Sequence, residues 1–177
     1  MERAERETER LVCRRPRRSD EPSYRALLQH PDVHAWLRPP PLPPFDDAQV
    51  AERLEHDVAH WHEHGFGPWA LIDRATGAYA GRGGLAWTTV AGQRAVELPW
   101  SIVPERWGRG LATEAAHAAL ETAVELGLQP VVSFTLTHNA GSRRVMEKLG
   151  LAYAGEIEHA GLPHVLYRAT GSADPPR

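Results

Sequence analysis

The chain has 177 residues, 42% hydrophobic and 24% charged. That size and balance predict one domain with a real core and exclude disorder over most of its length. A single cysteine, Cys13, excludes a disulfide framework and a thiolate zinc site within one subunit, and a formal net charge of −3 gives no reason to expect nucleic acid as the main partner. No apolar run approaches the ~20 residues needed to span a bilayer. The charged start is followed by no apolar stretch, so it does not read as a signal peptide, and a cytoplasmic location is expected.

Residues 1–9 read as a charged, solvated and mobile lead-in, and 171–177 as a loose tail. Between them, residues 10–170 read as one domain. Leu11–Arg14 is a strand candidate. Ser19-Asp20-Glu21-Pro22 starts a helix carrying Tyr24, Leu27 and Leu28, which Pro31 ends. The proline run from Arg38 to Pro44 has too few N–H donors for helix or inner strand, so it is an extended connector; an SH3-type ligand is the weaker reading. Asp46-Asp47 caps a second helix with Val50, Leu54, Val58 and Trp61 on one face. Trp69 to Ile72 and residues 79–87 are strands around a turn at Asp73 to Gly77, and Gly81, Gly83 and Gly84 suggest a bulge or close backbone approach. Residues 95–103 form the next strand. Leu111–Leu126 is a helix closed by Gly127, and Val131–Leu136 a strand. A further helix covers 139–149, and a last hairpin pairs 155–159 with 164–168 around Ala160-Gly161. The predicted fold class is α+β, a mostly antiparallel sheet with one parallel pair around a crossover helix and helices on both faces.

The informative unit is the strand ending in Val103, the turn Trp107-Gly108-Arg109-Gly110, and the helix after it. Glycines without Cβ let main-chain N–H groups approach a large group, and the helix start aims more unpaired donors at the same point. Together they suit a diphosphate, with Arg106 and Arg109 adding charge; a plain tight turn is the competing reading. A dinucleotide fingerprint fails, because the third glycine is missing and the strand-to-glycine turn is too long. A P-loop fails for want of Gly-Lys-Ser/Thr.

Trp107-Gly108-Arg109-Gly110-Leu111-Ala112-Thr113-Glu114-Ala115 resembles the acetyl-CoA pyrophosphate loop of the GNAT acetyltransferases. It is more narrowly similar to the branch of the ribosomal-protein N-terminal acetyltransferases. Asn139-Ala140-Gly141-Ser142, running on to Lys148-Leu149-Gly150-Leu151, is similar to that branch's second signature, with Leu151 in place of Phe. Glu97 precedes the loop at the family's spacing. The resemblance covers about Arg10 to Thr170. It implies a GNAT fold and an enzyme that moves the acetyl group of acetyl-CoA to a primary amine, either a protein N-terminus or a small molecule. It implies acetyl-CoA as the acyl donor and an amine acceptor as partners, with no metal, nucleic acid or membrane, and a possible homodimer. Contacts to the donor are implied for Ile102, Val103, Trp107, Gly108, Arg109, Gly110, Ala112, Thr113, Asn139, Ser142 and Arg143, with Arg144 and Lys148 near its ribose phosphate.

An amine is mostly protonated at neutral pH, so a base or water relay must free its lone pair. Glu97 is the candidate; an ordinary strand glutamate is the alternative. Alternation puts Glu97, Pro99 and Ser101 on one face and Val96, Leu98, Trp100 and Ile102 on the other. Ser142 inherits the role of acid to the leaving thiolate, since Met146, where many family members carry tyrosine, has no proton to give. Asn139 and Ser142 also read as helix caps. His56 and His60 flank Asp57 at metal-protease spacing, but no further ligand can be placed, so a solvated or substrate-facing helix is the stronger reading. Trp36, Trp61 and Trp87 either line an acceptor pocket or pack in the core. A non-catalytic acyl-CoA-binding module on the same fold is the alternative to an enzyme.

Overall fold

A computed structural model describes residues 5–170. The strands are β1 (Glu5–Glu7), β2 (Leu11–Arg14), β3 (Pro68–Asp73), β4 (Tyr79–Gly84), β5 (Ala86–Val90), β6 (Gln93–Glu97), β7 (Trp100–Ile102), β8 (Val131–Leu136), β9 (Ala152–His159) and β10 (Leu162–Arg168). The helices are α1 (Glu21–Leu28), α2 (Pro31–Leu37), α3 (Asp47–His64), α4 (Leu111–Leu126) and α5 (Ala140–Lys148). One sheet runs β1-β2-β3-β4-β7 and the other β5-β6-β8-β10-β9. Every pairing is antiparallel except β6 with β8, which α4 joins as a crossover.

Two strands expected as continuous each divide between the sheets. The stretch 79–87 breaks after Gly84, whose φ is +142°. A Cβ there would lie 2.7 Å from the carbonyl oxygen of Gly67, so only glycine allows this close approach. The stretch 95–103 breaks at Leu98-Pro99. Leu98 N–H still donates to Val132 of β8 (2.8 Å), whereas the Pro99 carbonyl accepts from Gly84 N–H (3.2 Å). Leu98 is the last of these residues to give its N–H to β8, and Pro99, whose main chain faces the other side, is the first to bond β4, so the chain changes partner there.

Two further differences lie in the N-terminal half. The expected mobile lead-in contains β1, where Arg6 donates to Thr122 Oγ1 (2.9 Å) and Glu121 (2.6 Å) of α4. Residues 1–4 and 171–177 lie outside the described residues. Pro31 ends α1 and also opens α2, because a proline at the first helical position loses no ladder bond. His30 caps that turn through Nδ1, 3.2 Å from Asp32 N. Asp46 and Gln49 form a reciprocal capping box on α3, in line with the expected start.

The main core packs α4 on the first sheet. Ala115, Ala119 and Ala123 repeat every four residues on one side of α4, and their small size lets the helix sit close to Leu11, Cys13, Leu71 and Ala80. A second cluster, Tyr24, Leu28, Val50 and Leu54, joins α1 to α3.

Candidate active site

β7 keeps its pairing with β4, while β6 pairs β8 only at Val96–Val131 and Glu97–Val132. Beyond Leu98 the two central strands therefore part, and a slot opens between β7 and β8. In an antiparallel ladder the main-chain groups of alternate residues point to the same side. The Pro99 carbonyl and the Val103 N–H both bond toward β4, the latter to Ala80 (3.0 Å). Trp100 and Ile102 therefore turn their peptide groups to the slot. The Ile102 carbonyl there accepts from Trp107 Nε1 (2.7 Å), which leaves the Ile102 N–H, with that of Trp100, as donors for an extended ligand. Val103, expected beside the same ligand, has its N–H committed to β4. Gly81 allows the tight β4–β7 contact, since a Cβ on it would stand 2.3 Å from the Ser101 carbonyl oxygen.

After β7 one 3-10 turn, Pro104–Arg106, leads to the glycine loop. Gly108 and Gly110 both have positive φ, +72° and +76°. That turns the chain so sharply that α4 starts at the very next residue. The first helical bond runs from Glu114 N–H to the Gly110 carbonyl (3.0 Å). The amides of Leu111, Ala112 and Thr113 therefore precede the ladder. Those of Gly108, Arg109 and Gly110 make no bond to other described backbone. This run of open donors at a helix start, with nothing within 4 Å of a Cβ placed on Gly108, fits a diphosphate.

Arg10 braces the loop from outside, donating to the Arg109 carbonyl (2.6 Å) and to Glu114 (2.7 Å). Glu114 also accepts from Thr8 Oγ1 (2.5 Å) and Arg10 N–H (2.7 Å). A depression of about 470 Å³ beside the loop is lined by Arg10, Arg74, Arg106 and Arg109 with Glu9 and Asp73. Arg106, expected to add charge at the loop, is turned to Asp73 in an ion pair. Arg109 stays exposed.

Glu97 is half-buried at the last residue of β6, where the strands part. Its carboxyl makes no hydrogen bond to any described residue. Burial pushes its pKa up, against the downward pull of Arg82 and Arg53. Beneath it lies a network absent from the sequence reading. Asp57 of α3, fully buried, is gripped by Arg82 of β4 through Nε (2.5 Å) and Nη2 (2.8 Å) and by the Tyr24 hydroxyl (2.9 Å). Desolvation opposes the Asp57 charge, but Arg82 outweighs it and holds the carboxyl well below the usual carboxylate range. The signal for this was present: Asp57 falls three residues after Leu54 and four before Trp61, within the buried stripe. An acid at a core position needs a cation.

At the mouth of the slot Asn139 caps α5. Its side-chain oxygen accepts from Ser142 N–H (3.1 Å) and its amide donates to Thr135 Oγ1 (3.0 Å). The Ser142 hydroxyl makes no hydrogen bond to described residues and is half-buried. Parallel β6–β8 pairing puts the loop after β7 and the turn after β8 on the same edge, so residues 107–113 and 139–142 face one region. Arg143, expected on the ligand, is drawn inward to the Thr137 carbonyl (3.1 Å) and the Tyr167 hydroxyl (3.4 Å). Arg144 and Lys148 remain exposed.

His60 is committed at both ring nitrogens: Nδ1 is 2.8 Å from the Phe66 carbonyl, and Nε2 accepts from Trp87 N–H at 2.9 Å. That assigns a neutral ring with its proton on Nδ1, and burial, the largest cause, lowers its pKa. No lone pair is left for a metal, and Asp57 is spent on Arg82. Trp61 is a core residue whose Nε1 donates to the Pro68 carbonyl (2.7 Å). Trp87 is half-buried under the Arg94 guanidinium, 3.9 Å from its ring centre. Trp36 is exposed and meets His138 at 5.6 Å between ring centres, so α2 reaches over the end of β8.

Residues 10–152 match the domain described as acetyltransferase (GNAT). The chain belongs to the GNAT acetyltransferase family. It is 27% identical over 123 residues to the uncharacterized protein YkkB of Bacillus subtilis, which covers 69% of this chain and 72% of that one. An acetyltransferase from Agrobacterium tumefaciens is 28% identical, with a TM-score of 0.80 and 94% of each chain covered. A ribosomal L7/L12 α-N-protein acetyltransferase solved in complex with coenzyme A shares the fold at 15% identity, with a TM-score of 0.73 over 94% of this chain and 97% of that one. This GNAT chain is an acetyl-CoA-dependent acetyltransferase with the expected α+β fold. Among its described residues no helix is long and apolar enough to cross a membrane.

Proposed function

We propose that the protein is an N-acetyltransferase for a primary amine, acting by direct attack of the amine on the acetyl carbonyl. When bound, acetyl-CoA supplies an activated acyl group with a thiolate as leaving group. The amides of residues 108–113 would hold its diphosphate, and the Ile102 N–H its extended arm. Glu97 would take the proton from the amine, directly or through one water. Its raised pKa suits that task, since a base works best with a pKa near the working pH. The Ser142 hydroxyl, without a hydrogen bond to described residues, would give a proton to the departing thiolate. Asn139 would hold the turn that presents it.

The observation that carries this reading is the coincidence of three features on one edge: the parted strands, the open amides, and an acid at the fork with no hydrogen-bond partner among the described residues. A module that only binds acyl-CoA needs the first two and not the third. Calorimetry with coenzyme A, followed by thiol release from acetyl-CoA across an amine panel, tests the reading. Binding together with amine-dependent release and a product heavier by one acetyl group supports it. Binding with no release from any amine supports the module and removes the enzyme.

A further inference from the structure

The peptide joining Arg109 to Gly110 lies in a loop with a glycine at positive φ on each side of Arg109. Glycine restrains its neighbouring peptides little, so a peptide here can turn over at small cost. Its direction matters. The peptide is trans, so its carbonyl and its N–H point opposite ways. With the N–H turned outward, the carbonyl oxygen would face the loop's open amides and repel an anion there. One side chain decides between the two directions. Arg10, just ahead of β2, donates from Nη1 to the Arg109 carbonyl at 2.6 Å. That fixes the oxygen on the outer side of the loop and sends the Gly110 N–H, which makes no bond to other described backbone, to the opposite side. Arg10 Nη2 also stands 3.5 Å from the place of a Cβ on Gly110, so the guanidinium lies along this peptide.

Arg10 is itself held in place for this. Its Nε donates to Glu114 Oε2 at 2.7 Å, and its main-chain N–H donates to Glu114 Oε1 at 2.7 Å. Thr8 Oγ1 donates to that second oxygen too (2.5 Å), and the Arg10 carbonyl accepts from Arg74 N–H (2.9 Å). Glu114 stands in the first turn of α4, so the clamp is tied to the helix whose start it serves. The Arg10 side chain is 45% exposed, and an exposed ion pair contributes little to stability. Its three directed bonds therefore matter more to the aim of the loop than to the fold. We propose that Arg10, oriented by Glu114, is a positioning residue for the acyl donor: it keeps the Arg109 carbonyl out and the Gly110 N–H turned to the diphosphate. The proposal rests on the reading that the loop amides hold the diphosphate, and it names the residue outside the loop on which their direction depends.

The test titrates the isotope-labelled full chain with coenzyme A and with pantetheine, which has the same arm and no phosphate, and follows the amide resonances by NMR. In the wild type the Gly110 amide is expected to move with coenzyme A and to stay still with pantetheine. Arg10→Ala should weaken coenzyme A binding about tenfold, the worth of one N–H bond to a charged group. It should also shrink the Gly110 shift at saturation and leave the Kd for pantetheine within about twofold. Arg10→Lys keeps one donor for the carbonyl and should recover part of the affinity, which a purely structural role would not show. An Arg10→Ala protein that binds coenzyme A as the wild type does, or that loses both ligands equally, overturns the assignment of Arg10 and leaves the loop reading standing. If the wild type binds coenzyme A no more tightly than pantetheine, or its Gly110 amide stays still with both, the diphosphate lies elsewhere and both readings fall.

Discussion

The two halves of the site are built from different materials. The donor side, from the fork at Leu98-Pro99 to the start of α4, is made of main chain: open amides, two glycines at positive φ, and a carbonyl tied off by Trp107. The proposed acceptor side, around Glu97 of β6, is made of side chains from α1, α3 and β4 held by a buried ion pair. A main-chain site depends on local conformation within a few residues. A side-chain site depends on elements far apart in sequence meeting correctly. Damage should therefore be graded on the donor side and cooperative on the acceptor side.

The sharpest test of that contrast is Asp57→Ala. It strands the buried Arg82 cation, and a loss of about 3–5 kcal/mol in unfolding free energy is expected by denaturant titration. A loss under about 1 kcal/mol would mean that the pair behaves like a surface one and holds nothing together. Next is Glu97→Gln, expected to lower kcat by about a hundredfold or more with the dissociation constant for coenzyme A unchanged. Equal turnover in the two proteins would take Glu97 out of the chemistry.

On the donor side, Gly110→Val should weaken coenzyme A binding by roughly tenfold, since a left-handed conformation costs a side-chain-bearing residue about 1–2 kcal/mol. The nearest atom to a new Cβ within the protein is Arg10 Nη2 at 3.5 Å, so the cost arises in the backbone rather than from crowding. Calorimetry decides this, and unchanged affinity would show that the turn does not organise the donors.

The smallest effect concerns stability and pH. Burial raises the folded pKa of Glu97, so the ionised form is the costly one. Its contribution favours folding while it is protonated and is lost as pH rises from the ordinary glutamate range through the raised value. Glu97→Gln should therefore raise Tm slightly at neutral pH and leave it unchanged below about pH 4. Asp57 acts in the opposite sense: its lowered pKa makes the fold weaken as pH falls through the acid range.

The donor side was legible because its signals are short. Gly108, Gly110, Pro99 and the Asn139–Ser142 turn each announce a backbone event within a few residues. Even there, alternation alone could not say which strand neighbour takes the Val103 N–H. The acceptor side was less legible. Asp57 read as the centre of a histidine pair, because its partner Arg82 lies 25 residues on and Tyr24 lies 33 residues back.

Sequence alone determined the order of the longer helices and of most strands, the loop that turns amides outward, the caps of α3 and α5, and the acid ahead of the fork, since all of these follow from local φ, missing donors and hydrophobic period. Only the tertiary structure decided where residues 79–87 and 95–103 change sheets and that His60 is locked between two backbone groups. It also decided that a buried Asp57–Arg82 pair acts on Glu97. Those outcomes depend on which distant groups remain unpaired once the strands have chosen their neighbours, a quantity that no stretch of chain carries by itself.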